Sequence, residues 1–458
     1  MTYFFILKNY AGILIKIHNF TLLVFLILTC FQNKLEANTL IRDAEIEKTL
    51  QMIAKPIFEA ADIDEKGVKV FLLDSDKLNA FIVDNDHVFF TTSLLVKLIT
   101  PGMFQAILAH EVAHINSGHI LKTKINIANN EWQRNLGSML GILISSTLNE
   151  DAGIAISLGS NIAAQNNYFS NSREMEVIAD TIGVKLLNEA KINPRNALKT
   201  MKLFEDLEKI MGLNDNQYIS THPASTQRIQ NIKVSIKQLE PQKYLNEDYL
   251  NYRYQRILAK VSAYSERPEK TLHDIDKSNL NELNLIKKAI ASHLKPDPKT
   301  ALDTILKLVK IKPNDPYFRE LLGQIYLETG NPQKAINAFS KASKILPDEP
   351  AFLIWSAISH LALENTESNE IALKMLQNAI KSDTLNPNLL RHLSIAYARN
   401  NQMGKAALKS SEYCFILGQF DAAKMHAKQA LNIVKPHSIE WQKAKDIIRI
   451  SSKFGEND

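Results

Sequence analysis

The chain has 458 residues, of which 45% are hydrophobic and 22% charged. These are ordinary proportions for a globular protein, and the length exceeds what one core organises, so two or three domains are expected. A formal net charge of +5 is mild at this length and excludes a dedicated nucleic-acid binder built around a basic stripe. Only 15 Gly and 15 Pro suit a helix-rich chain.

At the N-terminus Lys8 and Lys16 precede an apolar run, Phe20 to Phe31 ("FTLLVFLILTCF"), and a stretch ending in the small residue Ala37. That order predicts a secretory signal over residues 1–37. The run is shorter than the roughly 20 residues of a membrane-spanning helix. Of the two cysteines, Cys30 would leave with the signal. The mature chain would then hold together through its core and not through a disulfide. Cys414 lies in a helical pattern and is expected as a small core hydrophobe.

Residues 38–66 read as an opening helix, with Ile46, Leu50, Ile53 and Ile57 spaced three or four apart. "GVKVFLLD" (67–74), "LNAFIVD" (78–84) and "HVFFTT" (87–92) carry the β-branched and aromatic content of strands. "DNDH" predicts a hairpin turn between the last two. From Ser93 the period turns helical. Thr100 as N-cap and Pro101 in the first turn then start a helix containing "AILAHEVAH" and ending near Gly118. Residues 132–169 predict two packed helices. The next helix, "SNSREMEVIADTIGVKLL", is expected to be capped by Asn171 or Ser172.

Past residue 245 the texture becomes one of helix pairs. Between Pro313 and Pro347, Leu322, Gly323, Tyr326, Ala335, Phe339 and Ala342 stand at the spacing of a tetratricopeptide repeat. Gly323 and Ala335 allow close helix approach, Tyr326 and Phe339 fill gaps, and Pro347 stops the second helix. Ala301, Ile305 and Leu308 repeat the register upstream. Ala372–Ala379, Tyr397–Ala406 and 417–431 continue it with short insertions. Such an array is expected to bind protein in a concave groove.

The chemistry concentrates in "AILAHEVAHINSGH" (106–119). His110 and His114 are one helical turn apart, so they point the same way and can bind one metal ion. Glu111 leans to the same side, where it can take a proton from water. This is the H-E-x-x-H arrangement of zinc hydrolases. Imidazole and carboxylate are preferred Zn²⁺ ligands, and a catalytic zinc keeps one position open. His119 is out of register for a third ligand. "SREMEVIAD" offers a better one: Glu176 toward the metal, with Asp180 four residues on to accept a hydrogen bond from a ligand histidine. Glu174 lies on another face. In "THPAS", His222 has two open roles, as donor to a tetrahedral oxyanion or as occupant of the open zinc position at rest. It could equally cap a helix starting at Pro223. Arg228 either pairs with an acidic group near the site or is an ordinary surface residue.

"HEVAHINSGH", "SREMEVIAD" and "THPASTQRI" (221–229), together with the strand pair "LNAFIVDNDHVFFTTSLL", resemble the HtpX/CAAX-protease family of zincins over about residues 40–240. With the export signal and the repeats, the order is similar to the family's periplasmic branch, the β-barrel assembly-enhancing proteases. Ile178 stands where a second acidic residue is common, and "VDND" replaces a Gly-containing turn.

The resemblance implies a mainly α fold with a small β-sheet. A zincin-type α+β metallopeptidase domain would occupy 38–245, followed by an α-solenoid of tetratricopeptide repeats over 246–458. It also implies one Zn²⁺ per chain on His110, His114 and Glu176, Glu111 as base, and Asp180 behind the ligands. The expected protein is a periplasmic zinc endopeptidase acting on unfolded or β-rich clients. Its repeats would engage clients or an outer-membrane assembly complex, with at most peripheral membrane contact. Substrate is expected as an added strand near "HVFFTT". Two rival expectations are a chaperone or adaptor working through the repeats with a gated or vestigial protease site, and a closed structural zinc.

Overall fold

In the computed structural model of the protein, the described residues are 39–63, 68–84, 87–117, 165–211, 218, 222, 225–275, 280–384 and 386–454. The expected signal segment, His119, Gly118, Pro223 and residues 132–164 of the expected helix pair lie outside them.

The first element is a strand, β1 (Thr39–Ile41), where the sequence reads as helix. Three residues carry no detectable period, and β1 exists through pairing with a distant partner. Helix α1 (Ala44–Ala60) follows, its N-terminus capped by Asp43, whose side chain accepts from the Ile46 N–H. Ile46, Leu50, Ile53 and Ile57 are buried along one stripe, as the spacing predicts. Strands β2 (Lys69–Asp74), β3 (Ala80–Asp84) and β4 (His87–Thr91) complete a four-stranded sheet in the order β1-β2-β4-β3. β2 and β4 run parallel, Lys69 opposite His87 through Leu73 opposite Thr91. β1 and β3 pair antiparallel at the two sides, with an irregularity in β3 between Ile82 and Asp84.

Two consequences follow from that order. β4, the "HVFFTT" strand, is interior and paired on both sides, so it cannot receive an added strand as expected; the edge on that side is β3. The second concerns the two central strands, which are buried on both faces. Val70, Leu72, Val88 and Phe90 face the main core with α1. Phe71, Leu73 and Phe89 face Leu390 and Ile416, more than 300 residues further on. Burial on both faces explains the near-continuous apolar runs "VFLL" and "VFF", where a half-solvated sheet would show clean alternation.

Helix α2 (Thr92–Lys97) leads into α3 (Pro101–Asn116). The Met103 N–H meets Thr100 Oγ1 at 3.3 Å, as a capping threonine should. Residues 101–113 of α3 are buried all round, the mark of a central helix. Phe104 stacks on Phe90 with centroids 4.4 Å apart, and Gln105 Nε2 donates to the Ile53 carbonyl at 2.8 Å. Helix α4 (Gln165–Glu189) packs along α3. Asn171 and Ser172 lie inside α4, not at its start. Gly183 of α4 sits against the backbone at Ala109 and His110, where an added Cβ would meet the His110 nitrogen at 3.3 Å. Helices α5 (Arg195–Met211) and α6 (Thr226–Lys237) close this part. Ser225 caps α6 by accepting from the Arg228 N–H, so His222 is not the cap.

The remaining helices run in pairs: α7 (Asp248–Ser265), α8 (Pro268–Asp274), α9 (Glu282–Leu294), α10 (Pro298–Ile311), α11 (Pro316–Glu328), α12 (Pro332–Ile345), α13 (Pro350–Leu361), α14 (Thr366–Ala379), α15 (Pro387–Arg399), α16 (Met403–Ile416), α17 (Phe420–Leu431) and α18 (Ile439–Phe454). Proline opens six of them at N1, where its missing N–H costs nothing. Gly323 of α11 meets the Phe339 ring of α12, as the repeat register requires. Cys414 is buried in an apolar cluster with Phe415, Ala423 and Ala427.

Buried charges join the opening segment to these helices. Arg42 donates from Nη2 to both oxygens of Asp383 at 2.9 Å and from Nε to Glu47 at 2.8 Å. Arg256, 1% exposed, reaches Glu45 at 2.7 Å and Asp315 at 2.5 Å, while Lys260 holds Asp43 at 2.6 Å.

Candidate metal centre

His110, Glu111 and His114 project from the buried helix α3, and Glu176 and Asp180 project from α4 beside it. His110, Glu111, Glu176 and Asp180 are each 5–6% exposed. One possible ligand atom from each of His110, His114, Glu176 and His222 falls within 4.8 Å of the others. His110 Nε2 is 3.2 Å from His114 Nε2, 3.3 Å from Glu176 Oε2 and 3.4 Å from His222 Nδ1. His114 Nε2 lies 3.4 Å from Glu176 Oε1, and His222 Nδ1 lies 2.9 and 3.0 Å from the two Glu176 oxygens. Zinc–ligand bonds of about 2.0–2.1 Å in a tetrahedron put ligand atoms about 3.4 Å apart. The donor set and its spacing therefore fit Zn²⁺.

Behind these atoms stands a charged layer. His110 Nδ1 is 3.1 Å from Asp180 Oδ1. Arg228, 4% exposed, donates from Nε and Nη2 to the two Asp180 oxygens, both at 2.7 Å, and its Nη1 is 3.0 Å from Glu176 Oε2. Arg228 is thus buried in the site and is no surface residue. Burial disfavours charge on His110, but Asp180 and Glu176 outweigh it and push its pKa up to about 9. Burial lowers that of His114. Burial would raise the Glu176 pKa, yet His222, His110 and His114 together hold it far below the carboxylate range. Asp180 is likewise depressed, Arg228 and His110 overcoming burial. Two anions sharing three imidazoles and one guanidinium make a pocket that keeps its carboxylates ionised, as metal ligation requires.

One participant escaped the sequence reading. The Tyr218 hydroxyl donates to Glu111 Oε1 at 3.1 Å. Its only sequence signal is an aromatic one helical turn before His222. Glu174 is exposed and stands apart from the cluster.

A His–His–Glu–His group, with His110 and Glu176 buried and His114 and His222 half-buried, two of its members on an H-E-x-x-H helix beneath a mixed sheet, defines a zinc-metallopeptidase site. Residues 42–236 match Peptidase family M48. The chain carries an M48 (HtpX-like) zinc-metallopeptidase domain joined to a tetratricopeptide-like helical repeat region. The β-barrel assembly-enhancing protease of Escherichia coli K12 is 22% identical over 412 residues, 88% of this chain and 82% of that one. Its Yersinia pestis counterpart is 25% identical over 288 residues, 61% of this chain and 58% of that protein. The mitochondrial metalloendopeptidase OMA1 of Saccharomyces cerevisiae is 30% identical over 157 residues, 34% of this chain and 42% of that protein. The chain thus spans less than two thirds of the length of the last two.

Proposed function

We propose that the protein is a zinc endopeptidase of envelope quality control. It would work in the periplasm on unfolded or misassembled β-rich proteins. The peptidase domain would occupy about residues 38–245 and the repeats 246–458, the repeats engaging clients or an outer-membrane assembly complex. The observation that carries the reading is the near-tetrahedral spacing of donor atoms from His110, His114 and Glu176 next to Glu111. The extent of similarity to the Escherichia coli protein supports the cellular role. Among the described residues no helix is long and apolar enough to cross a membrane.

In this reading His110, His114 and Glu176 hold one Zn²⁺. Zinc supplies Lewis acidity there, acidifying water and polarising a carbonyl. Glu111 takes the proton of the attacking water and delivers it to the leaving amine. Asp180 accepts from His110 Nδ1 and fixes its tautomer, and Arg228 holds Asp180 in turn. Substrate lies along the edge strand β3, whose only sheet neighbour among the described residues is β4, and is read by main-chain hydrogen bonds. His222, whose Nδ1 lies inside the same cluster, would hold the ion together with them at rest and so gate the protease.

The test is Glu111→Gln. The variant should keep one zinc per chain and lose casein cleavage by about 10²–10⁴-fold. Undiminished cleavage would remove Glu111 from the mechanism. A wild-type protein that binds zinc yet never cleaves, and unfolds when zinc is chelated, would replace the reading with a structural zinc.

A further inference from the structure

We propose that Tyr218 is a positioning residue that sets the carboxylate plane of Glu111; this rests on Glu111 being the base. The last torsion of a glutamate is broad and roughly two-fold, so packing of its stem alone does not orient the two oxygens. Tyr218 provides an orienting bond from a fixed point. Its ring is 3% exposed and packs between Phe204, with centroids 5.0 Å apart, and His222, at 4.8 Å. Its backbone N–H donates to the Leu78 carbonyl at 3.0 Å, two residues before the edge strand β3. Its carbonyl accepts the His222 N–H at 2.8 Å. Tyr218 is therefore anchored to the segment that leads into the strand proposed to carry substrate. From there its hydroxyl donates to Glu111 Oε1. Among the described residues His222 Nε2 also comes near that oxygen, and at 3.8 Å it is too far for a hydrogen bond.

The geometry also separates this role from zinc binding: the hydroxyl bonds the base, while the ring packs against Phe204 and His222. Tyr218→Phe keeps the ring and removes the hydroxyl. In the full-length zinc-loaded protein, zinc stoichiometry and affinity, measured by competition with a chelator, should stay at the wild-type value. On a fluorogenic peptide kcat should fall roughly ten- to a hundredfold, the worth of a hydrogen bond to a charged group, with KM within about twofold. The same loss should appear in a His222→Ala background, because the bond acts on Glu111 directly. Wild-type kcat in Tyr218→Phe overturns the proposal, as does a loss accompanied by weakened zinc binding or one that disappears in the His222→Ala background. Glu111→Gln, run beside it, separates the two levels. If that variant cleaves normally, the reading of the base fails. If it is inactive while Tyr218→Phe is normal, only the inference about Tyr218 fails.

Discussion

At the scale of single residues, the site is a stack of dependences. Arg228 donates to both oxygens of Asp180, Asp180 Oδ1 lies 3.1 Å from His110 Nδ1, and His110 stands in one cluster with His114, Glu176 and His222. His222 Nδ1 lies 2.9 Å from Glu176 and 3.4 Å from His110, a position that supports the gating role proposed above. His222→Ala should therefore raise basal casein cleavage several-fold without loss of zinc; reduced cleavage would restore the oxyanion role. His110, Glu111 and His114 were legible because four-residue spacing on a helix is local information, and Glu176 and Asp180 for the same reason. Tyr218 was not legible. Its partner Glu111 is 107 residues away, and nothing in the local sequence around Tyr218 points to it.

At the scale of elements, the helix pairs depend on small contacts placed by register. Gly323 is the clearest. A Cβ there would come within 2.6–2.9 Å of three Phe339 ring carbons, closer than packed atoms tolerate. Gly323→Ala should destabilise the protein by about 1–3 kcal/mol through overpacking, read as a lower urea midpoint with the slope unchanged. An unshifted midpoint would mean that α11 and α12 part freely. The sequence displayed this contact because glycine and its aromatic partner recur at fixed offsets within one repeat. Two other features were not displayed. β1 is three residues long and owes its conformation to Leu72–Asp74. The starting point of α4 was misplaced because Asn171 and Ser172 resemble caps, whereas the helix runs over Gln165–Glu189.

At the scale of the whole molecule, the peptidase region and the repeats share buried surface and buried charge. The outer face of the sheet packs on Leu390 and Ile416, and Arg42 meets Asp383 across 341 residues. None of this is visible in local pattern, since each partner looks complete within its own segment. Beside the Arg42 bridge lies a cavity of about 340 Å³, lined in part by Glu47, Glu349, Trp355 and Asp383. Burial there pushes the Glu349 pKa from an ordinary 4.5 up to about 7, with the Glu47 charge adding to it and a hydrogen bond from the Ala351 N–H opposing it. A carboxyl whose pKa is higher folded than unfolded binds more proton in the folded chain, so its contribution to stability declines as pH rises between those values. Stability should therefore fall between about pH 4.5 and 7 from this group, and Glu349→Gln should flatten that slope and gain most above pH 7. An unchanged slope in chemical denaturation would show that Glu349 is solvated.

The most direct test of the central claim is a crystal structure of the zinc-loaded protein with anomalous data at the zinc edge. The account predicts one strong peak per chain, about 2.0–2.2 Å from the imidazoles of His110 and His114 and a carboxylate oxygen of Glu176. A peak elsewhere, or one at the two imidazoles with the Glu176 carboxylate beyond bonding reach, would contradict it.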